Sequence, residues 1–188
     1  MDKRVRRTRD KLGDALVALM QEKSFDDIRI QDVLDRAKIG RSAFYSHFKD
    51  KDDLFLSDAD EFFEGIAGYL SSWQENSNRV APVAELFSHV AEMRPYLNAL
   101  RESGKWTDIR DLASEHFARG INKRLAEISA TRALSPTARA ARAHALSGSL
   151  LALLEWWLRH KTPASPVQMD TLFHQLAWSG IRPANPAV

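Results

Sequence analysis

The run Arg41-Ser42-Ala43-Phe44-Tyr45-Ser46-His47-Phe48 sets a guanidinium, hydroxyls, a phenol and an imidazole around two phenylalanines. Arg41 has the fork geometry for guanine O6 and N7, while Ser42 and the Ala43 methyl are small enough to let a backbone approach base edges and thymine methyls. Tyr45 and His47 are suited to hydrogen bonds with phosphate, as is Lys51 just beyond, at the start of the next helical segment. This is a repertoire for holding a polyanion without forming covalent bonds.

Covalent chemistry has far less to work with. The chain has no cysteine, which removes thiol nucleophiles, thiolate metal sites and disulfides. The six histidines, at 47, 89, 116, 144, 160 and 174, form no HExxH or other close ligand pair. No GxGxxG or GxxxxGK run occurs, and Gly65-Ile66-Ala67-Gly68 lies inside a helical stripe. Acidic pairs such as Asp26-Asp27 and Asp52-Asp53 flank helix starts, where the helix dipole accounts for them. The expectation is a chain that is not an enzyme and has neither cofactor nor metal.

The elements that carry the run are short. Ile30, Val33, Leu34 and Ala37 mark a helix of about two turns, and a second begins at Arg41 after Gly40, with Phe44 and Phe48 on its inward face. Helices this short need a neighbour to hold them. Helix, tight turn, helix with a polar outer face is the layout that puts a helix into a DNA major groove.

Elsewhere the pattern is also helical. Leu12, Ala15, Leu16, Leu19 and Met20 share a face, and a long segment near 51–73 repeats Phe55, Phe62, Ile66, Tyr69 and Trp73. Pro82 and Pro95 suit first-turn positions of helices near 82–93 and 95–103. Ile109, Leu112, Ala113, Phe117, Ile121, Leu125 and Ile128 form another stripe. Ser135-Pro136 and Ser165-Pro166 read as cap and first helical residue of helices near 136–160 and 166–180. The expected fold is all-α with about nine helices: a basic-armed helix-turn-helix domain over 1–53 and a helical effector-binding and dimerisation domain over 54–188.

Charge supports that division. Residues 1–11 carry six basic side chains against two acidic, whereas from residue 54 onward the two signs balance. The N-terminus lacks the apolar stretch of a secretory signal, and the run at 145–158 is too short for a membrane span and contains Glu155. A cytoplasmic protein with no membrane partner is expected.

The segments "RDKLGDALVALMQEKSFDDIRIQDVLDRA" and "IGRSAFYSHFKDKDDLF" together resemble the DNA-binding domain of the TetR family of bacterial transcriptional regulators. The resemblance implies groove contacts from Arg41, Ser42 and Ala43, backbone contacts from Tyr45, His47 and Lys51, and an approach to phosphate by the start of the preceding helix, Arg29 to Gln31. Three positions depart from the family pattern: Lys38 where the turn usually has glycine, Gly40 in place of a serine cap, and Arg29 in place of a threonine cap.

Beyond residue 55 the resemblance implies a small apolar or aromatic effector and a homodimer. Phe62, Tyr69, Trp73, His89, Tyr96 and Phe117 are the candidates for lining an effector cavity. Leu146, Leu150, Leu153 and Trp157, with Leu172, Phe173 and Leu176, are the candidates for the dimer face, and Ser147 and Gly148 are small enough for close helix approach. The expected function is a ligand-responsive homodimeric repressor on a near-palindromic operator in double-stranded DNA. A constitutive regulator without effector, and a helical interaction protein that has lost DNA binding, are the alternative readings.

Overall fold

The computed structural model describes residues 3–71, 78–94, 97, 105–160 and 164–179. Among these residues there is no strand. Eight α-helices have defined bounds: α1 Lys3–Met20, α2 Ile30–Ala37, α3 Arg41–Tyr45, α4 Lys51–Ser71, α5 Val83–Glu92, α6 Trp106–Glu127, α7 Pro136–Arg159 and α8 Pro166–Ser179. The helix expected near 95–103 falls mostly outside the described residues. Pro82 precedes α5 instead of opening it, and its carbonyl accepts from Leu86 N–H at 2.9 Å.

The chain divides into two compact units, one of residues 1–62 with 93–110 and the other of 63–92 with 111–188. The first unit therefore extends past the expected boundary at residue 53 and takes in a later segment. Lys105 shows why: its ammonium pairs with Asp52 and lies over the Phe25 ring, 5.3 Å from the centroid.

In the first unit the expected stripe of α1 is buried at Leu12, Ala15, Leu16, Leu19 and Met20. The basic N-terminal stretch is not a free arm but the opening turns of α1. Arg9 is drawn inward, its guanidinium bonded to Ser57 of α4 and set over the Phe48 ring at 4.9 Å. α2 packs on α1. The half-buried pair Lys23 with Asp32 and the exposed pair Arg36 with Glu22 tie α2 to the turn that follows α1, and surface pairs of this kind add little in water. α4 starts on side-chain caps, Asp53 N–H donating to Asp50 Oδ1 and Lys49 N–H to Asp53 Oδ2, both at 2.8 Å.

Farther along α4, Asp58 lies so close to α1 that a Cβ added at Gly13 would stand 2.1 Å from its Oδ1. Glycine is what permits this approach. Burial pushes the Asp58 carboxyl up to about 6; Asp14, Glu61 and Asp10 add to the shift and Arg9 opposes it.

In the second unit α5 and α7 pack on α8. Arg79 joins Glu85 at 2.6 Å and Asp170 at 2.7 Å, and Asp170 also accepts from Ala84 N–H. Val80 N–H donates to His174 Nε2 at 3.0 Å, and the Trp178 indole donates to the Asn78 carbonyl at 2.8 Å. The stretch before α5 is thus held on α8 by its own backbone. α8 has a reciprocal cap, Ser165 N–H to Gln168 Oε1 and Gln168 N–H to Ser165 Oγ.

Asp58 gives the fold a pH signature. An acid whose folded pKa is raised stabilises the fold fully below its unfolded value of 3.8, and that contribution is lost as pH rises through about 6. Substituting Asp58→Asn is expected to remove a fall worth at most about 3 kcal/mol between pH 4 and 7. Urea unfolding of both proteins across that range checks it, through the difference between the two curves.

Candidate nucleic-acid interface

The local fold around α3 follows from two buried rings and one strained residue. Phe44 is wholly buried and Phe48 nearly so, their ring centroids 5.7 Å apart. The turn between α2 and α3 passes through Lys38 at φ 55°, ψ 44°, a left-handed conformation that costs a side-chain-bearing residue about 1 kcal/mol. In return Lys38 N–H and Ile39 N–H both reach the Leu34 carbonyl. Gly40 stands at the N-cap of α3 with extended backbone and no side-chain bond, and its carbonyl accepts from Ala43 N–H at 3.0 Å. Arg29 caps α2 only through its backbone, whose N–H donates to Asp32 Oδ2 at 2.9 Å; a guanidinium has no acceptor for the reciprocal bond.

With Phe44 turned inward, Arg41, Ser42 and Tyr45 are exposed, Tyr45 to 50%. Arg29 and Gln31 at the start of α2 are exposed as well. The two sets meet, since Arg41 Nη2 donates to Gln31 Oε1 at 2.9 Å. Ala43 and His47 are half-buried, so the outward face of α3 is narrower than expected. Lys49, which the sequence reading did not assign to the interface, is also exposed. Its position within the quoted motif was the available signal.

Lys51 departs from its expected role. Its ammonium donates to the Phe25 carbonyl at 2.5 Å and the Ile28 carbonyl at 3.0 Å, and sits 4.2 Å from the Phe25 ring centroid. The side chain ties the start of α4 to the turn before α2 rather than reaching outward for phosphate.

Three of the six effector-lining candidates have described side chains, Phe62, His89 and Phe117. Trp73 and Tyr96 lie outside the described residues, as does the side chain of Tyr69. Phe117 is core, in edge contact with Phe63 at 5.9 Å, and His116 beside it is buried. His89 and Phe62 are half-buried, in different units. An open hollow of about 440 Å³ is lined by Thr171, His174, Gln175, Trp178 and Ser179.

The dimer-face candidates divide by helix face. Leu150, Trp157 and Phe173 are buried within the second unit, so they are not free to meet a partner; the Trp157 ring packs on Phe87 at 5.3 Å. Ser147 is also buried, bonded to the Ser114 carbonyl of α6 at 2.8 Å. Leu146 and Leu153 are half-buried, while Leu172 and Leu176 are exposed together with Trp156. Among the described residues no group of three or more ligating side chains could hold a metal ion, and no helix is long and apolar enough to cross a membrane.

The family model described as bacterial regulatory proteins, tetR family, matches residues 12–57, the stretch that contains α2 and α3. The likeness to that family is shown for this stretch of the chain. Over 83 residues it is 31% identical to YwcC of Bacillus subtilis (strain 168), an uncharacterized HTH-type transcriptional regulator; the match covers 43% of this chain and 37% of that protein. Among solved structures it resembles a TetR transcriptional regulator from Streptococcus agalactiae 2603V, with TM-score 0.66, 20% identity and coverage of 94% of this chain and 96% of that one. It also resembles RolR, solved in complex with resorcinol, with TM-score 0.64, 18% identity and coverage of 96% and 90%. At these identities the two likenesses show the fold alone.

Because Lys51 spans two carbonyls, Lys51→Ala is expected to lower stability by about 1–2 kcal/mol. It should leave the salt dependence of DNA affinity unchanged, whereas loss of a phosphate contact reduces that slope by about one. Urea unfolding and binding at several salt concentrations separate the two roles.

Proposed function

We propose that the chain is a homodimeric TetR-family repressor that reads a near-palindromic operator and releases it on binding a small apolar or aromatic effector. The observation that carries the DNA reading is the outward face of α3, where Arg41, Ser42 and Tyr45 stand exposed over a buried Phe44. In this reading Arg41, Ser42 and Ala43 meet base edges, and Tyr45, His47 and Arg29 meet phosphate. The exposed basic groups of α1 add affinity more than sequence information.

The homodimer is supported by a stripe on α7, where Ala145, Gly148, Ala152 and Trp156 are exposed at helical spacing, and by exposed Leu172 and Leu176 on α8. Small residues let two helices approach closely. Two such protomers would present their reading helices about 34–36 Å apart, one turn of B-DNA, or a multiple of it. The effector assignment rests on the resemblance to the TetR family and on the resorcinol complex of RolR, which favours a small aromatic ligand. An effector that prefers one form of the dimer would lower operator affinity by that preference.

Selection from a random duplex library tests the reading. A two-fold symmetric consensus with strongly salt-dependent affinity is expected; weak binding with no enriched sequence would contradict it. Gly148→Arg tests the dimer, because a Cβ added at Gly148 has open space within 4 Å. The variant should stay folded by circular dichroism, sediment as a monomer and lose at least tenfold in operator affinity. A dimer at wild-type strength would contradict the α7 face. Resorcinol and related phenols are expected to raise Tm and release the operator.

A further inference from the structure

Asp35 belongs to none of the residues so far placed at the interface, yet it ends a chain of hydrogen bonds that begins at Arg41. Gln31 and Asp35 are four apart on α2 and share one face of it. Asp35 Oδ1 accepts from Gln31 Nε2 at 2.7 Å, and Gln31 Oε1 accepts from Arg41 Nη2 at 2.9 Å. All three side chains are exposed.

The direction of the chain is fixed by chemistry. A carboxylate only accepts and a guanidinium only donates, so the amide between them fits one way round. Turned over, Gln31 would set oxygen against oxygen at Asp35 and N–H against N–H at Arg41. Arg41 uses one N–H of its five on Gln31 and keeps enough for a bidentate contact with guanine.

We propose that Asp35 is a positioning residue that sets base selectivity by orienting Gln31, which in turn holds Arg41 ready for guanine. The inference rests on the DNA reading given above. An arginine already held loses less freedom on binding, and only at the base step where its geometry is satisfied. The Asp35 carboxylate meanwhile repels phosphate on every duplex alike. Its two effects are therefore separable.

The test uses the full chain and the duplex it enriches, with single-base variants at the step whose preference Arg41→Ala abolishes. Asp35→Ala should reduce discrimination at that step about three- to ten-fold, the effect of freeing one side chain. It should also raise affinity for unrelated duplex. Asp35→Asn keeps an oxygen for Gln31 and should retain discrimination while losing the repulsion. In a Gln31→Met background, Asp35→Ala should change discrimination no further.

Wild-type discrimination in Asp35→Ala overturns the inference and leaves the DNA reading intact. So does an equal loss in Asp35→Ala and Asp35→Asn, or an Arg41→Ala variant that keeps every base preference. Failure of the wild type to enrich any sequence removes the DNA reading, and this inference with it.

Discussion

Everything at the interface depends on the burial of Phe44. α3 is five residues long, too short to persist on hydrogen bonds alone, so its position is set by the ring it buries. Phe48 continues that face and is covered by the Arg9 guanidinium from α1. Once Phe44 points inward, a 100° step per residue leaves Arg41, Ser42 and Tyr45 pointing out. The left-handed turn at Lys38 is tolerated because it ends α2 early enough for this packing to occur.

Basic side chains in the first unit serve two purposes that their charge does not distinguish. Arg9, Lys51 and Lys105 are drawn onto aromatic rings, carbonyls and a carboxylate inside the unit. Arg29, Arg41 and Lys49 remain at the surface around the reading helix. The cations of the first kind shape the scaffold; those of the second give it a field that attracts a polyanion. Asp35 and Asp32 temper that field where they stand beside Gln31 and Arg29, so orientation as well as charge acts at this face.

Periodicity made the helices legible, and residue type singled out the candidate interface. The stripe of α1, the caps at Ser135 and Ser165 and the uncapped Gly40 follow from local rules of backbone and side chain, whereas the left-handed Lys38 was signalled by the family resemblance. What escaped were facts that need tertiary contacts. Lys51 reads as a phosphate ligand until the carbonyls of Phe25 and Ile28 are brought beside it. Leu150, Trp157 and Phe173 read as dimer residues because an apolar stripe does not say which of two neighbours covers it. Asp35 has no signal of its own; only the meeting of Gln31 with Arg41 across the turn gives it a role.

The central claim is that the outer face of α3, with the start of α2, is the surface that meets DNA. Photocrosslinking the chain to an enriched duplex carrying 5-iodouracil, with the attachment points located by mass spectrometry, tests this most directly. Attachment concentrated between residues 29 and 49, with Tyr45 among the modified residues, is the predicted result. Efficient attachment confined to residues beyond 63, with none in that span, would contradict the account.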